Sequence, residues 1–189
     1  MKTLETQRTL IRQLTEKDRA QCRELLSKEF DYYYGPFYDN PDPDMRFDWI
    51  VSLTYWESAG NLYGDRAIEL KSTGQIIGLC GIDPWVWKAK VKRYFPKLFA
   101  ELNVAKPCTT IEFELGYALL KQYRGQGLAT EAVKKLIDRS FETAEIQSIF
   151  ARTSKDNIAS KNMMERVGMT VYLSDEYGGF AARIDNPKF

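Results

Sequence analysis

Two carboxylates and a glycine loop are the parts of this sequence whose types and spacing suit chemistry. Glu112 and Glu114 lie in Ile111–Leu119, IEFELGYAL, where the residues alternate. Ile111, Phe113, Leu115, Tyr117 and Leu119 share one face; Glu112, Glu114, Gly116 and Ala118 share the other. A strand would place the two acids roughly 6–7 Å apart on one side. Partial burial and mutual repulsion suit one of them to take up a proton, as a general base must. The stretch then runs into Gln122-Tyr123-Arg124-Gly125-Gln126-Gly127-Leu128-Ala129. Beyond it, Ala129, Ala132, Val133, Leu136, Ile137 and Phe141 recur at helical spacing. A helix N-terminus has unpaired N–H groups and partial positive charge. Glycines before it let a phosphate approach the backbone closely, so an anion is expected where this strand becomes a helix.

Other mechanisms are excluded by composition. The 189 residues contain no histidine, which removes Ser-His-Asp and Cys-His hydrolases and most zinc enzymes. Three cysteines, Cys22, Cys80 and Cys108, are widely spaced. They suggest a reducing cytoplasm, with neither a disulfide framework nor a metal site. Lys+Arg 27 against Asp+Glu 26 gives +1, so nothing global points to nucleic acid or membrane. The opening MKTLETQRTL has no apolar signal-peptide core, and no apolar run approaches the ~20 residues of a membrane span. The glycine pattern is not G-x-x-x-x-G-K-[ST], and Thr130 breaks G-x-G-x-x-G.

The elements that position these groups read as one α/β domain over residues 1–189. Arg8–Leu14 is a first strand, with Thr15-Glu16-Lys17-Asp18 starting a helix. Glu29–Trp49 is aromatic and acidic, broken by Gly35-Pro36 and Pro41-Asp42-Pro43, and suits an organic cation. A helix follows to about Ser58. Ala67–Lys71 and Gln75–Ile82 form a hairpin that Pro84 closes. Residues 85–107 read as a basic, aromatic insertion, able to cover a site or make a homodimer contact. Ser148–Thr153 is a strand, and Asp156 or Asn157 caps a helix that ends before Gly168. Val171–Leu173 and Phe180–Ile184 close the chain.

Arg124, Gly127 and Ala129 meet the Arg/Gln-x-x-Gly-x-Gly/Ala pattern of the GNAT family of N-acetyltransferases, which this loop resembles. Asn157-x-x-Ser160 and Glu165-x-x-Gly168-Met169, about thirty residues on, are similar to the second half of that family's signature. Glu114-x-Gly116-Tyr117 and Thr9-Leu10-Ile11-Arg12-x-Leu14 resemble its ribosomal-protein-acetylating branch. The resemblance covers nearly the whole chain. It implies a mostly antiparallel sheet of about seven strands, flanked by helices and splayed between the fourth and fifth. Acetyl-CoA would wedge into the splay as cosubstrate, with no metal. Tyr117, Ala118, Leu119 and Leu120 would pair with the pantetheine arm. Arg124, Gly125, Gln126, Gly127, Leu128, Ala129 and Thr130 would take the pyrophosphate. Asn157 and Ser160 would flank the pantetheine.

The implied reaction is direct acetyl transfer to a primary amine, a protein N-terminus or a small cation. Glu114 is the candidate base, matching the family's Glu-x-Gly-Tyr, and Glu112 is second. The family's usual thiolate-protonating Tyr is replaced by Met164. Ser160 is the first candidate for that role, with Tyr117 and Tyr172 behind it. Two other readings remain at this point: a non-catalytic acyl-CoA-binding regulatory module, and a phosphate-binding protein outside the family.

Overall fold

A computed structural model describes residues 3–28, 42–58, 64–85, 112–143, 146–175 and 178–189. The strands are β1 (Leu4–Glu5), β2 (Thr9–Arg12), β3 (Gly64–Leu70), β4 (Gln75–Trp85), β5 (Glu112–Leu119), β6 (Ser148–Ser154), β7 (Thr170–Ser174) and β8 (Gly179–Asp185). The helices are α1 (Arg19–Lys28), α2 (Pro43–Ser58), α3 (Leu128–Thr143) and α4 (Ile158–Arg166). One sheet takes the order β1-β2-β3-β4-β5-β6-β8-β7. Its neighbours are antiparallel except β5 and β6, which are parallel. The eighth strand beyond the expected seven is the two-residue β1, which folds back on Leu10 and Ile11. The 85–107 insertion lies, apart from Trp85, outside the described residues, as does most of the acidic aromatic loop.

Both faces of the sheet are covered. On one, α1 and α2 bury Cys22, Leu25, Leu26, Phe47 and Ile50 against Ala67, Ile76 and Leu79. On the other, α3 and α4 bury Ala132, Val133, Leu136, Ile137, Met163 and Met164 against Ile68, Ile77, Phe113, Leu115 and Ile149. The 3.6-residue periodicity of α3 is what turns one stripe to the sheet while Lys134, Lys135 and Asp138 stay exposed. Cys22 and Cys80 are free and buried; burial pushes both thiols up to about 12, so neither offers a thiolate. Among the described residues no helix is long and apolar enough to cross a membrane.

Two local features depart from the simple alternation. Ile68 pairs with Gly78 but Glu69 pairs with Ile76, so Ile77 bulges out of the β3–β4 ladder. The bulge shifts parity: Ile76 and Leu79 face one core, Ile77 and Cys80 the other. Beside it, a Cβ on Gly78 would lie 2.3 Å from the Ala118 carbonyl oxygen, so only glycine lets β4 approach β5 there. The second departure is Pro84, which does not close β4; the strand continues to Trp85. Among the described residues β3 pairs with β4 as far as Gly64 opposite Ile82, and at Pro84 the described partner of β4 is β5, through Phe113. A proline there need not supply the N–H a central strand requires.

Several ion pairs fix α1, α2 and the first strands. Arg12 donates to both Asp18 and Glu69, at 2.8 and 2.6 Å. Asp18 in turn accepts from the Thr15 N–H and hydroxyl at 2.7 and 2.8 Å, which completes a capping box. Arg19 and Arg23 of α1 pair with Asp48 and Asp44 of α2 at 2.5 and 2.7 Å. Phe47 is buried, with the Arg19 guanidinium 4.6 Å from its ring centre. This described end of the acidic aromatic segment therefore ties two helices together.

Candidate functional site

β5 and β6 are joined over very little length. Among the described residues they pair only at Phe113 with Ile149 and Glu114 with Phe150. β5 pairs with β4 along its whole length, eight residue pairs from Glu112 to Leu119. β6 likewise pairs with β8 through seven, from Ser148 to Ser154. Beyond Glu114 the two strands splay, and their facing edges carry backbone donors and acceptors that the sheet does not use. Such groups need partners, and an amide-bearing chain laid in the opening would supply them. Tyr117, Ala118 and Leu119 lie on the β5 edge of this opening, followed by Leu120, whose N–H donates to the Ile77 carbonyl at 2.9 Å.

The two halves of the sequence signature meet here. The Tyr117 hydroxyl and Ser160 Oγ share a 2.5 Å hydrogen bond, although they are 43 residues apart. The phenol also donates to the Ser160 carbonyl at 3.3 Å. Burial pushes the Tyr117 phenol up to about 12, against the pull of the Ser160 hydrogen bond. It therefore stays protonated at neutral pH. Ser160 sits in the first turn of α4, where Asn157 Oδ1 accepts from its N–H at 3.1 Å. Asn157 is thus the N-cap of this helix, and Gly168, with φ of 93°, ends it. Met164, at the position of the family's usual Tyr, is wholly buried in the core.

Glu114 occupies the opposite face of β5 from Tyr117. Tyr117 packs against the α3–α4 core and Ala118 against the α1–α2 core, so alternation sends Glu114 to the α1–α2 side. Glu114 Oε1 accepts from Arg152 Nε at 2.9 Å and from its terminal nitrogen at 2.7 Å. Arg152 belongs to β6, so this ion pair crosses the splay close to where it opens. Sequence reading did not find Arg152; an arginine two residues past Phe150 on a half-buried strand was the available signal. Glu112 opens β5 opposite Trp85.

The glycine loop lies at the far end of β5. Gly125 and Gly127 have φ of 74° and 77°, a backbone region that favours glycine. The first helical hydrogen bond runs from the Glu131 N–H to the Gly127 carbonyl, at 3.0 Å. The N–H groups of Leu128, Ala129 and Thr130 precede that ladder, as an anion site needs. Arg124 Nε donates to the Leu119 carbonyl at 2.9 Å, tying the loop to the strand. A hollow of about 650 Å³ opens on Gly125, Gly127, Thr130 and Glu131, and Lys134, Lys135, Asp138 and Arg166 also line it. Sequence reading also missed Arg8, which reaches this loop from β2's approach. Its guanidinium donates to the Gln126 carbonyl at 3.0 Å and to Glu131 Oε2 at 2.9 Å.

Comparison with known proteins agrees with this geometry. Residues 8–170 match the family model for the acetyltransferase (GNAT) domain. An uncharacterized N-acetyltransferase, p20, of Bacillus licheniformis is 28% identical over 167 residues, covering 87% of this chain and 80% of p20. The crystal structure of an acetyltransferase from Agrobacterium tumefaciens superposes with TM-score 0.69 at 24% identity, covering 97% of this chain and 94% of that one. RimL, a ribosomal alpha-N-protein acetyltransferase in complex with coenzyme A, superposes with TM-score 0.65 at 13% identity, covering 97% and 98%. The chain belongs to the GNAT acetyltransferase family and is an acetyl-CoA-dependent acyltransferase.

Proposed function

We propose that this protein acetylates a primary amine, with the pantetheine arm in the β5–β6 opening and the pyrophosphate on the Arg124–Thr130 loop. The observation that carries this reading is the splay itself, with both signature halves meeting across it at Tyr117 and Ser160. Acetyl-CoA approaches from the α3–α4 side and the acceptor from the α1–α2 side, where Glu114 stands. The amine must lose a proton to attack, and alkylamines are mostly protonated at neutral pH. Glu114 takes that proton, directly or through a water; Oε1 is held by Arg152, which leaves Oε2 to turn toward the amine. The amine nitrogen bonds to the acetyl carbonyl carbon, the carbon–sulfur bond breaks, and coenzyme A leaves as its thiolate. As the amide forms the nitrogen gives up its second proton, and the Tyr117–Ser160 pair relays a proton to the sulfur and takes that one back, ending as it began; Met164 is buried and has none to give. Glu112 is the reserve base. The acceptor's class, a protein N-terminus or a small cation, is read from the ribosomal-protein-acetylating branch and the acidic aromatic loop.

A thiol-release assay with acetyl-CoA, N-terminal peptides and a panel of cationic amines tests this. Glu114→Gln is expected to lower kcat about 100-fold or more while coenzyme A still binds. Unchanged kcat in that variant would remove Glu114 as the base.

A further inference from the structure

Arg8 lies 118 residues from Gln126 and 123 from Glu131 in sequence, yet touches both. Its own backbone is held by the sheet: the Lys71 N–H donates to the Arg8 carbonyl at 3.0 Å. Its N–H donates to Glu131 Oε1 at 2.7 Å, and its Nε to Oε2 at 2.9 Å. A further guanidinium nitrogen donates to the Gln126 carbonyl at 3.0 Å. The peptide between Gln126 and Gly127 is trans, so its C=O and N–H point in opposite directions. Fixing the carbonyl toward Arg8 therefore fixes the Gly127 N–H away from it. Gly127 on one side leaves that peptide freer to rotate otherwise.

Glu131 presents the second half of the problem. It lines the hollow beside the loop, where a carboxylate would repel a phosphate. Burial opposes its ionisation, yet the Thr6 hydroxyl, the Arg8 N–H and the Arg8 guanidinium together hold its carboxyl below the ordinary value. Glu131 is thus an anion at the mouth of an anion site, matched by a cation from another part of the sheet.

We propose that Arg8 is a positioning residue for acetyl-CoA: it aims the Gly127 N–H at the pyrophosphate and neutralises Glu131. This rests on the acetyl-CoA reading above. Arg8 braces the loop from the sheet, so the loop presents its donors already set, and binding does not have to order them.

Calorimetric titration with coenzyme A separates this role from a merely structural one. Arg8→Gln is expected to raise the Kd about tenfold, the scale of one charge-assisted hydrogen bond. Adding Glu131→Gln to that variant should recover about threefold, because the unmatched carboxylate is gone. Glu131→Gln alone should tighten coenzyme A about twofold, whereas loss of a structural ion pair would weaken it. Pantetheine, which lacks the phosphates, should compete equally with both wild type and Arg8→Gln. If Arg8→Gln does not fold, Arg8→Lys carries the test with a loss of about threefold, since one ammonium cannot hold both partners. Unchanged coenzyme A binding in the Arg8 variants, or an equal loss of pantetheine, overturns the proposal while wild-type binding keeps the acetyl-CoA reading. Wild-type protein that ignores coenzyme A would sink both.

Discussion

The two helices that leave the splayed strands begin in opposite ways. After β6, α4 is capped by its own chain: Asn157 Oδ1 accepts from the Ser160 N–H. After β5, α3 begins behind Gly127, which has no side chain to cap anything. The same sheet therefore presents one sealed N-terminus and one open one, on the two sides of a single cleft. An internal cap and an external anion compete for the same N–H groups. On the proposed reading, the cap is omitted where the pyrophosphate would bind and kept beside the Ser160 hydroxyl that meets Tyr117.

This contrast can be broken from the open side first. Gly127→Asp would put a carboxylate at the cap position of α3 and force a side chain into a φ of 77°. Coenzyme A affinity should fall on the order of 100-fold, through repulsion and lost N–H groups. Retained affinity, measured by titration, would mean that the loop is not the phosphate site. On the sealed side, Asn157→Ala should cost about 1 kcal/mol, a lowering of Tm by about 2–4 °C. Asn157→Asp should restore most of it. A large rise in the KM for acetyl-CoA without that loss of stability would give Asn157 a ligand contact besides its cap.

The smallest effect concerns pH. Tyr117 has a folded value of about 12 against 10.0 unfolded, because burial disfavours the phenolate. Its contribution to stability is complete below pH 10 and is lost as pH rises toward 12, since only the unfolded chain ionises in that window. Tm measured from pH 9 to 11 should fall in wild type beyond the fall in Tyr117→Phe. Parallel curves would show that the Tyr117 phenol is open to water in solution.

Much of this was legible locally. Alternation from Ile111 to Leu119 placed β5, the apolar stripe after Gly127 placed α3, and the cap of α4 was narrowed to Asp156 or Asn157, of which Asn157 supplies it. Those signals are short-range, set by side-chain direction and backbone preference within one element. The bulge at Ile77 was not legible, because it exists only relative to the register of β3. Pro84 misled for the same reason: whether a strand can continue through proline depends on where its neighbour ends. Arg152 and Arg8 were missed because a cation's meaning comes from a partner tens of residues away. Glu114 read from sequence was one of two like charges; in the fold its described partner is a guanidinium.

The join between β5 and β6 has a mechanical consequence. Among the described residues, two residue pairs link one leaf of five strands to another of three, a narrow seam within the sheet. A ligand that hydrogen-bonds to both edges would act as a missing strand, stitching the leaves for as long as it stays. Loading with donor would then be part of the fold's cohesion: at a ligand concentration of 100 times Kd, the gain is about 2.7 kcal/mol. Amide exchange along Leu115–Leu119 and Ala151–Ser154 should slow together when coenzyme A is present. The enzyme between turnovers would be a looser object than the enzyme at work.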